Sequence, residues 1–190
     1  MLTSWFKRSP TLSTAKQLYG SIVTQARVPA FYIAHGVPDT MEGRYEMVAL
    51  HLFLVSDRLR STGEAGQRLG QQVMEVFITD MDDAMREIGV GDLKVPKKVK
   101  QAYAGLEARF EGYRDASVER EPDLALIHHV HRFVYAHDAA PKDSEGPHEV
   151  PEDERVGAAG IAAYLGRARA HLQAMDDTAV LGGTISFPAA

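Results

Sequence analysis

From Met41 to Arg60 the chain reads MEGRYEMVALHLFLVSDRLR, and the middle of this segment is apolar on almost every side of a helix. One core-facing stripe is made by Tyr45, Val48, Ala49, Leu52, Val55 and Leu59 at helical spacing. Met47, Leu50, Phe53 and Leu54 fall off that stripe. A helix that is apolar nearly all round is either buried on several sides or covers a partner. The run Met47–Val55, with His51 inside it, is far shorter than the ~20 apolar residues a membrane span needs.

The flanking sequence sets the boundaries. Ser13 or Thr14 is placed to cap a first helix reaching about Val28, with Ile22, Val23 and Ala26 on its apolar side. Pro29 disfavours helical geometry at Val28, so a break is expected there. Phe31, Tyr32 and Ile33 follow as a short turn, and Val37-Pro38-Asp39-Thr40 reads as a turn into the central helix, with Asp39 or Thr40 as its cap. Ser61-Thr62-Gly63-Glu64 has capping-box spacing and opens a long helix to about Ile88. Its inward positions are Leu69, Val73, Val76, Phe77, Met81, Ala84 and Ile88, and Gly89 is placed to end it. Asp82 and Arg86 have ion-pair spacing on its wet side. Further helices are expected from Pro96 to about Ala116, from Pro122 to Ala136, and from about Glu154 to Met175. Ile161, Tyr164, Leu165, Ala168 and Leu172 form the stripe of the last. Residues 1–12 read as a flexible terminus. Asp138–Arg155, with its prolines and charges, reads as a mobile loop, and Val180–Phe187 as an extended tail. The expected class is all-α: one domain over 13–190, a bundle-like fold of about six helices.

Composition narrows the function classes. A chain of 190 residues can bury roughly 70% of its unfolded surface without disulfides or metal. The absence of cysteine removes disulfides, thiolate metal sites and a cysteine nucleophile. A formal charge of −5 argues against a global grip on nucleic acid, and no DNA partner is expected. The start MLTSWFKRSP lacks the apolar core of a secretory signal, so a chain that is not exported is expected.

Few constellations carry chemistry. The stretch HHVHRFVYAH places His128 and His131 on one helix face, a spacing suited to a metal, but no third ligand is identifiable nearby. A helical di-metal site requires Glu-x-x-His pairs on helices, and the one such spacing, Glu145 to His148, lies in the Pro/Gly loop. Asp80 falls on an apolar face and needs a partner, for which Arg27 and Arg44 are candidates. Phosphate loops, nucleophile elbows and zinc-protease motifs are missing, and neither catalytic residues nor a cofactor is expected. Lys94, Lys97, Lys98 and Lys100 form a local basic group in an acidic chain, suited to phosphate on ribosomal RNA or lipid. Trp5, Phe6, Lys7 and Arg8 are too short a segment to hold a membrane firmly. The surplus apolar side chains Met47, Leu50, Phe53 and Leu54, with Phe31 and Tyr32, are the candidate client-binding surface.

An ordered string of short motifs adds to this reading. Tyr19-Gly20, Gln25-Ala26-Arg27, Pro29, Phe31-Tyr32, Gly36-Val37-Pro38-Asp39-Thr40, Gly43-Arg44-Tyr45, Met47 and Leu50-His51 are followed by Asp80-Met81-Asp82 and by Arg86 to Asp92. Weaker echoes are Lys97 to Lys100, Tyr164, Gly183, Ile185 and Phe187-Pro188. In these motifs the chain resembles the ubiquinol–cytochrome c chaperone family, assembly factors of ubiquinol–cytochrome c reductase. The resemblance implies an α-helical chaperone without enzymatic activity that binds newly made cytochrome b. Mitochondrial members act with a small partner protein near the ribosomal exit tunnel. The lack of an obvious targeting extension points to a bacterial, cytoplasmic member, near the membrane through its client. The His-rich segment departs from the family pattern. Competing readings are a helical metal-dependent enzyme on the His128/His131 helix and a ribosome-associated adaptor.

Overall fold

The computed structural model describes residues 10–116, 122–136 and 151–190. Among these residues every regular element is helical: α1 (Pro10–Ala26), α2 (Pro29–Ile33), α3 (Met41–Arg60), α4 (Gly63–Glu87), α5 (Val95–Ala116), α6 (Pro122–Val130) with a π-helical continuation (His131–Tyr135), α7 (Glu152–Ala174) and α8 (Asp177–Leu181). The all-α expectation is met. Of the predicted mobile loop, residues 138–150 lie outside the described residues, as do Trp5 to Arg8, His137, Glu145 and His148. Its remaining part is ordered differently, because α7 already begins at Glu152.

Helix α3 is the axis of the fold, and its two apolar sides serve two cores. Ala49, Leu52, Val55 and Leu59 pack with Leu18, Ile22, Leu69, Val73 and Phe77 of α1 and α4. Met47, Leu50, Phe53 and Leu54 pack with Phe31, Tyr113, Val130, Ile161, Tyr164 and Leu165 on the other side. The helix is apolar all round because it is covered all round. Its start is fixed by Thr40, whose Oγ1 accepts the Gly43 backbone N–H at 3.1 Å. Gly43 has no room for a Cβ, which would lie 2.0 Å from the Pro38 carbonyl oxygen. Val28, before Pro29, is extended (φ −61°, ψ 123°), so α1 stops where the proline predicts.

Three local expectations are corrected. The capping box at Ser61–Glu64 does not form. Ser61 and Thr62 turn their hydroxyls back onto the Arg58 and Leu59 carbonyls (2.7 and 2.8 Å), closing α3 instead of opening α4. Asp80 is exposed and finds neither arginine; it accepts the Tyr19 hydroxyl at 2.7 Å, while Arg44 pairs with Asp39. The tail is not extended from Val180, which is buried in the short helix α8 capped by Asp176.

Buried polar groups tie the helices together. Arg109 of α5 clamps Glu46 of α3 with two N–H groups, gives a third bond to the Gly105 carbonyl, and lies over the Tyr45 and Phe133 rings. Arg58 donates to the carbonyls of Leu172 and Met175, both at 2.7 Å, and so ties α3 to the end of α7, where the Leu172 carbonyl also accepts the Met175 N–H. None of the helices among the described residues is long and apolar enough to cross a membrane.

Candidate functional surfaces

The six residues expected to meet a client occupy two different situations. Phe31, Met47 and Leu50 have no exposed surface, and Phe53 and Leu54 retain only 1% each. Their expected role as an open apolar surface is therefore corrected: they are the second core face of α3, covered by α7, α5 and the π-helical segment. Only Tyr32 is half-buried. Its hydroxyl donates to the Ala26 carbonyl at 2.8 Å, and burial raises its pKa. The neighbouring side chain that does face outward is Ile33, 84% exposed, with Met41 exposed at the start of α3. Sequence reasoning assigned Ile33 to a turn and missed its exposure. Helical spacing gives no signal for a single residue at the end of a five-residue helix.

This α2–α3 corner is held rigidly. Tyr135 donates to the His35 carbonyl at 2.6 Å, and Val37 N–H returns to the Phe31 carbonyl at 3.1 Å. The His35 ring packs against α7 at Gly160, where a Cβ would stand 2.3 Å from Nδ1. Burial lowers the His35 pKa, so the ring is held toward its neutral form. Asp39, held below its usual pKa by the Arg44 hydrogen bond, gives the corner a charged rim.

Behind the corner lies a polar chain in the core. His51 Nδ1 is 2.7 Å from the Met47 carbonyl, which can only accept, so Nδ1 carries the proton. Nε2 then accepts the Tyr164 hydroxyl at 2.8 Å, and Gln25 donates to the Tyr164 oxygen at 3.1 Å. Phe31 and Phe187 meet the imidazole edge-on at 5.5 and 5.2 Å. Burial pushes the His51 pKa down to about 4. The group is a neutral, buried linker among α1, α3 and α7.

The histidines expected as a metal pair are separated in role. His131 lies 3.0 Å from the Glu154 carboxylate and stacks on Tyr135, whereas His128 stands edge-on to His129. Among the described residues no three histidine or carboxylate side chains converge on a point where an ion could sit.

Lys94, Lys97, Lys98 and Lys100 cluster where α4 turns into α5, and all four are exposed. An open groove of about 480 Å³ runs beside them, lined by Ile78, Asp82, Pro96, Val99, Lys100 and Tyr103. Ile88, expected to face inward, is 56% exposed here, and Ala84 is exposed as well. The apolar repeat of α4 continues past the point where α1 and α3 cover it.

A family profile described as ubiquinol-cytochrome C chaperone matches residues 34–187, well over half of the chain. The crystal structure of the Cbp3 homolog from Brucella abortus superposes with a TM-score of 0.75 at 30% identity, covering 95% of this chain and 91% of that one. No curated protein matches significantly.

Proposed function

The chain belongs to the ubiquinol–cytochrome c chaperone family, and from that membership we propose that it binds newly synthesised cytochrome b and promotes its incorporation into ubiquinol–cytochrome c reductase, without catalysing a reaction. The observation that carries this reading is the match of family profile and fold over the same residues, 34–187 of a chain that superposes on the Brucella homolog over 95% of its length. The bacterial origin of that homolog supports action in a bacterial cytoplasm, at the inner face of the membrane where the client inserts.

The client contact is reassigned from the enclosed side chains to the α2–α3 corner. There Ile33 and Met41 are exposed beside Tyr32, and the Asp39–Arg44 pair rims them. A chaperone must release its client, so a small apolar contact on a rigid support suits the task better than a large one. Tyr164, Pro29 and the Gly36–Thr40 turn support that corner from behind.

The test is genetic and chemical. Deleting the gene is expected to deplete mature ubiquinol–cytochrome c reductase. A photo-crosslinker at position 33 is expected to capture cytochrome b, and Ile33→Asp to lose client capture while keeping the wild-type melting curve. Normal levels of the mature complex in the deletion strain would remove the function. Undiminished capture by Ile33→Asp would remove the corner.

A further inference from the structure

Helix α4 ends in a tight reversal: Gly89 takes φ +82°, its N–H bonds to the Arg86 carbonyl, and the Val90 N–H bonds to the Met85 carbonyl, both at 3.0 Å. This reversal carries Leu93, 98% exposed, with Ile88 (56% exposed) at its start and Tyr103 (46% exposed) farther along α5. Around them stand Lys94, Lys97, Lys98 and Lys100, none of which forms an ion pair among the described residues.

Of the acidic residues nearby, two share a single guanidinium and two lie on the flank of α4 that faces α1. Asp82 and Asp92 both bond to Arg86. Asp83 and Glu87 are exposed, and they share by helical spacing the flank of α4 on which Asp80 reaches Tyr19 of α1. The reversal therefore combines free ammonium groups with bare aliphatic surface, although the whole chain carries −5.

We propose that the α4–α5 tip is a docking surface for an anionic phospholipid bilayer, with Leu93 and Ile88 entering the headgroup boundary and the four lysines meeting lipid phosphates. Charge complementarity selects an anionic partner, and the exposed aliphatic surface selects a bilayer over RNA. A single-stranded RNA site offers stacking rings and favours arginine for planar phosphate contacts. Here Arg86 is engaged by Asp82 and Asp92 and the remaining cations are lysine, and a fully exposed leucine has nothing to gain from a phosphate backbone. Repulsion between the acidic body and the membrane is confined to about 8 Å by physiological salt, while the tip projects from the end of α4. The docking is a property of the chain itself and is independent of which client it carries.

Flotation of the full chain with phosphatidylcholine vesicles, with and without phosphatidylglycerol, tests the proposal. Binding is expected only with phosphatidylglycerol, and it should fall steeply with salt. Each lysine replaced by glutamate is expected to weaken it at least about fivefold at low salt. Leu93→Ser should weaken it severalfold with unchanged circular dichroism and melting. Equal binding to neutral vesicles, no binding to either, or full binding by the K94E/K97E/K98E/K100E variant would overturn the assignment. It would also be overturned if Leu93→Ser bound vesicles normally while the quadruple variant lost both vesicle and ribosomal RNA binding, since the tip would then be an RNA contact.

Discussion

Helix α3 and the tip of the α4–α5 hairpin both carry more apolar side chains than one core stripe can use, yet their fates are opposite. In α3 the surplus is enclosed to within 1% of complete burial, because α7 and α5 close over the side that α1 and α4 leave open. In α4 the repeat Leu69, Val73, Phe77 is buried, while Ala84 and Ile88 on the same face run on into solvent. An apolar face therefore states a need for cover without saying whether the chain itself supplies it. The polar groups divide in the same way: Glu46, His51 and Arg58 are buried in the layers around α3, and the lysines at the tip are exposed.

That contrast is broken most directly at Glu46. Glu46→Ala leaves the Arg109 guanidinium unpaired between Tyr45 and Phe133, and is expected to cost about 3–5 kcal/mol in denaturant unfolding. Phe53→Ala removes a ring packed on Phe110 and Tyr113 and should cost a comparable ~3–5 kcal/mol, where an exposed client contact would cost almost nothing.

Acid sharpens the comparison next. His51 has its folded pKa lowered to about 4 from 6.5 by burial. The unfolded chain therefore binds more protons between these values, and stability is retained above about 6.5 and lost as pH falls toward 4. The loss attributable to His51 is about 3 kcal/mol. A His51→Gln variant should show a shallower fall over that window, and an unchanged slope would contradict the buried neutral ring.

Two tyrosines give a smaller test. Tyr164→Phe strips His51 Nε2 of its donor and should cost about 1–2 kcal/mol. Tyr113→Phe removes a buried hydroxyl that has no hydrogen-bond partner among the described residues, so it should be neutral or slightly stabilising. Leu93→Ser, at the open tip, should stay within about 0.5 kcal/mol of wild type.

Much of the fold was legible before any coordinates. Pro29, Thr40 and Gly89 mark real boundaries because each acts through its own backbone or its nearest turn, and the Asp82–Arg86 pair forms at 2.7 Å as its spacing requires. The stripe of α7, from Ile161 to Leu172, is buried throughout. The candidate site was legible only in part. Lys94 to Lys100 could be read as exposed because charge avoids the core. The client face could not, since Phe31 and Ile33 sit two residues apart on a helix too short to have a periodic face.

The sequence by itself determined roughly where the long helices run, that the protein is all-helical, and which family it joins, because proline geometry and periodicity are local and ordered motifs survive without knowledge of packing. Only the tertiary structure decided which greasy surface stays open. That choice depends on whether a distant helix lands opposite a given face: α7 reaches Leu50 and Leu54 from more than a hundred residues away, and nothing among the described residues covers Leu93.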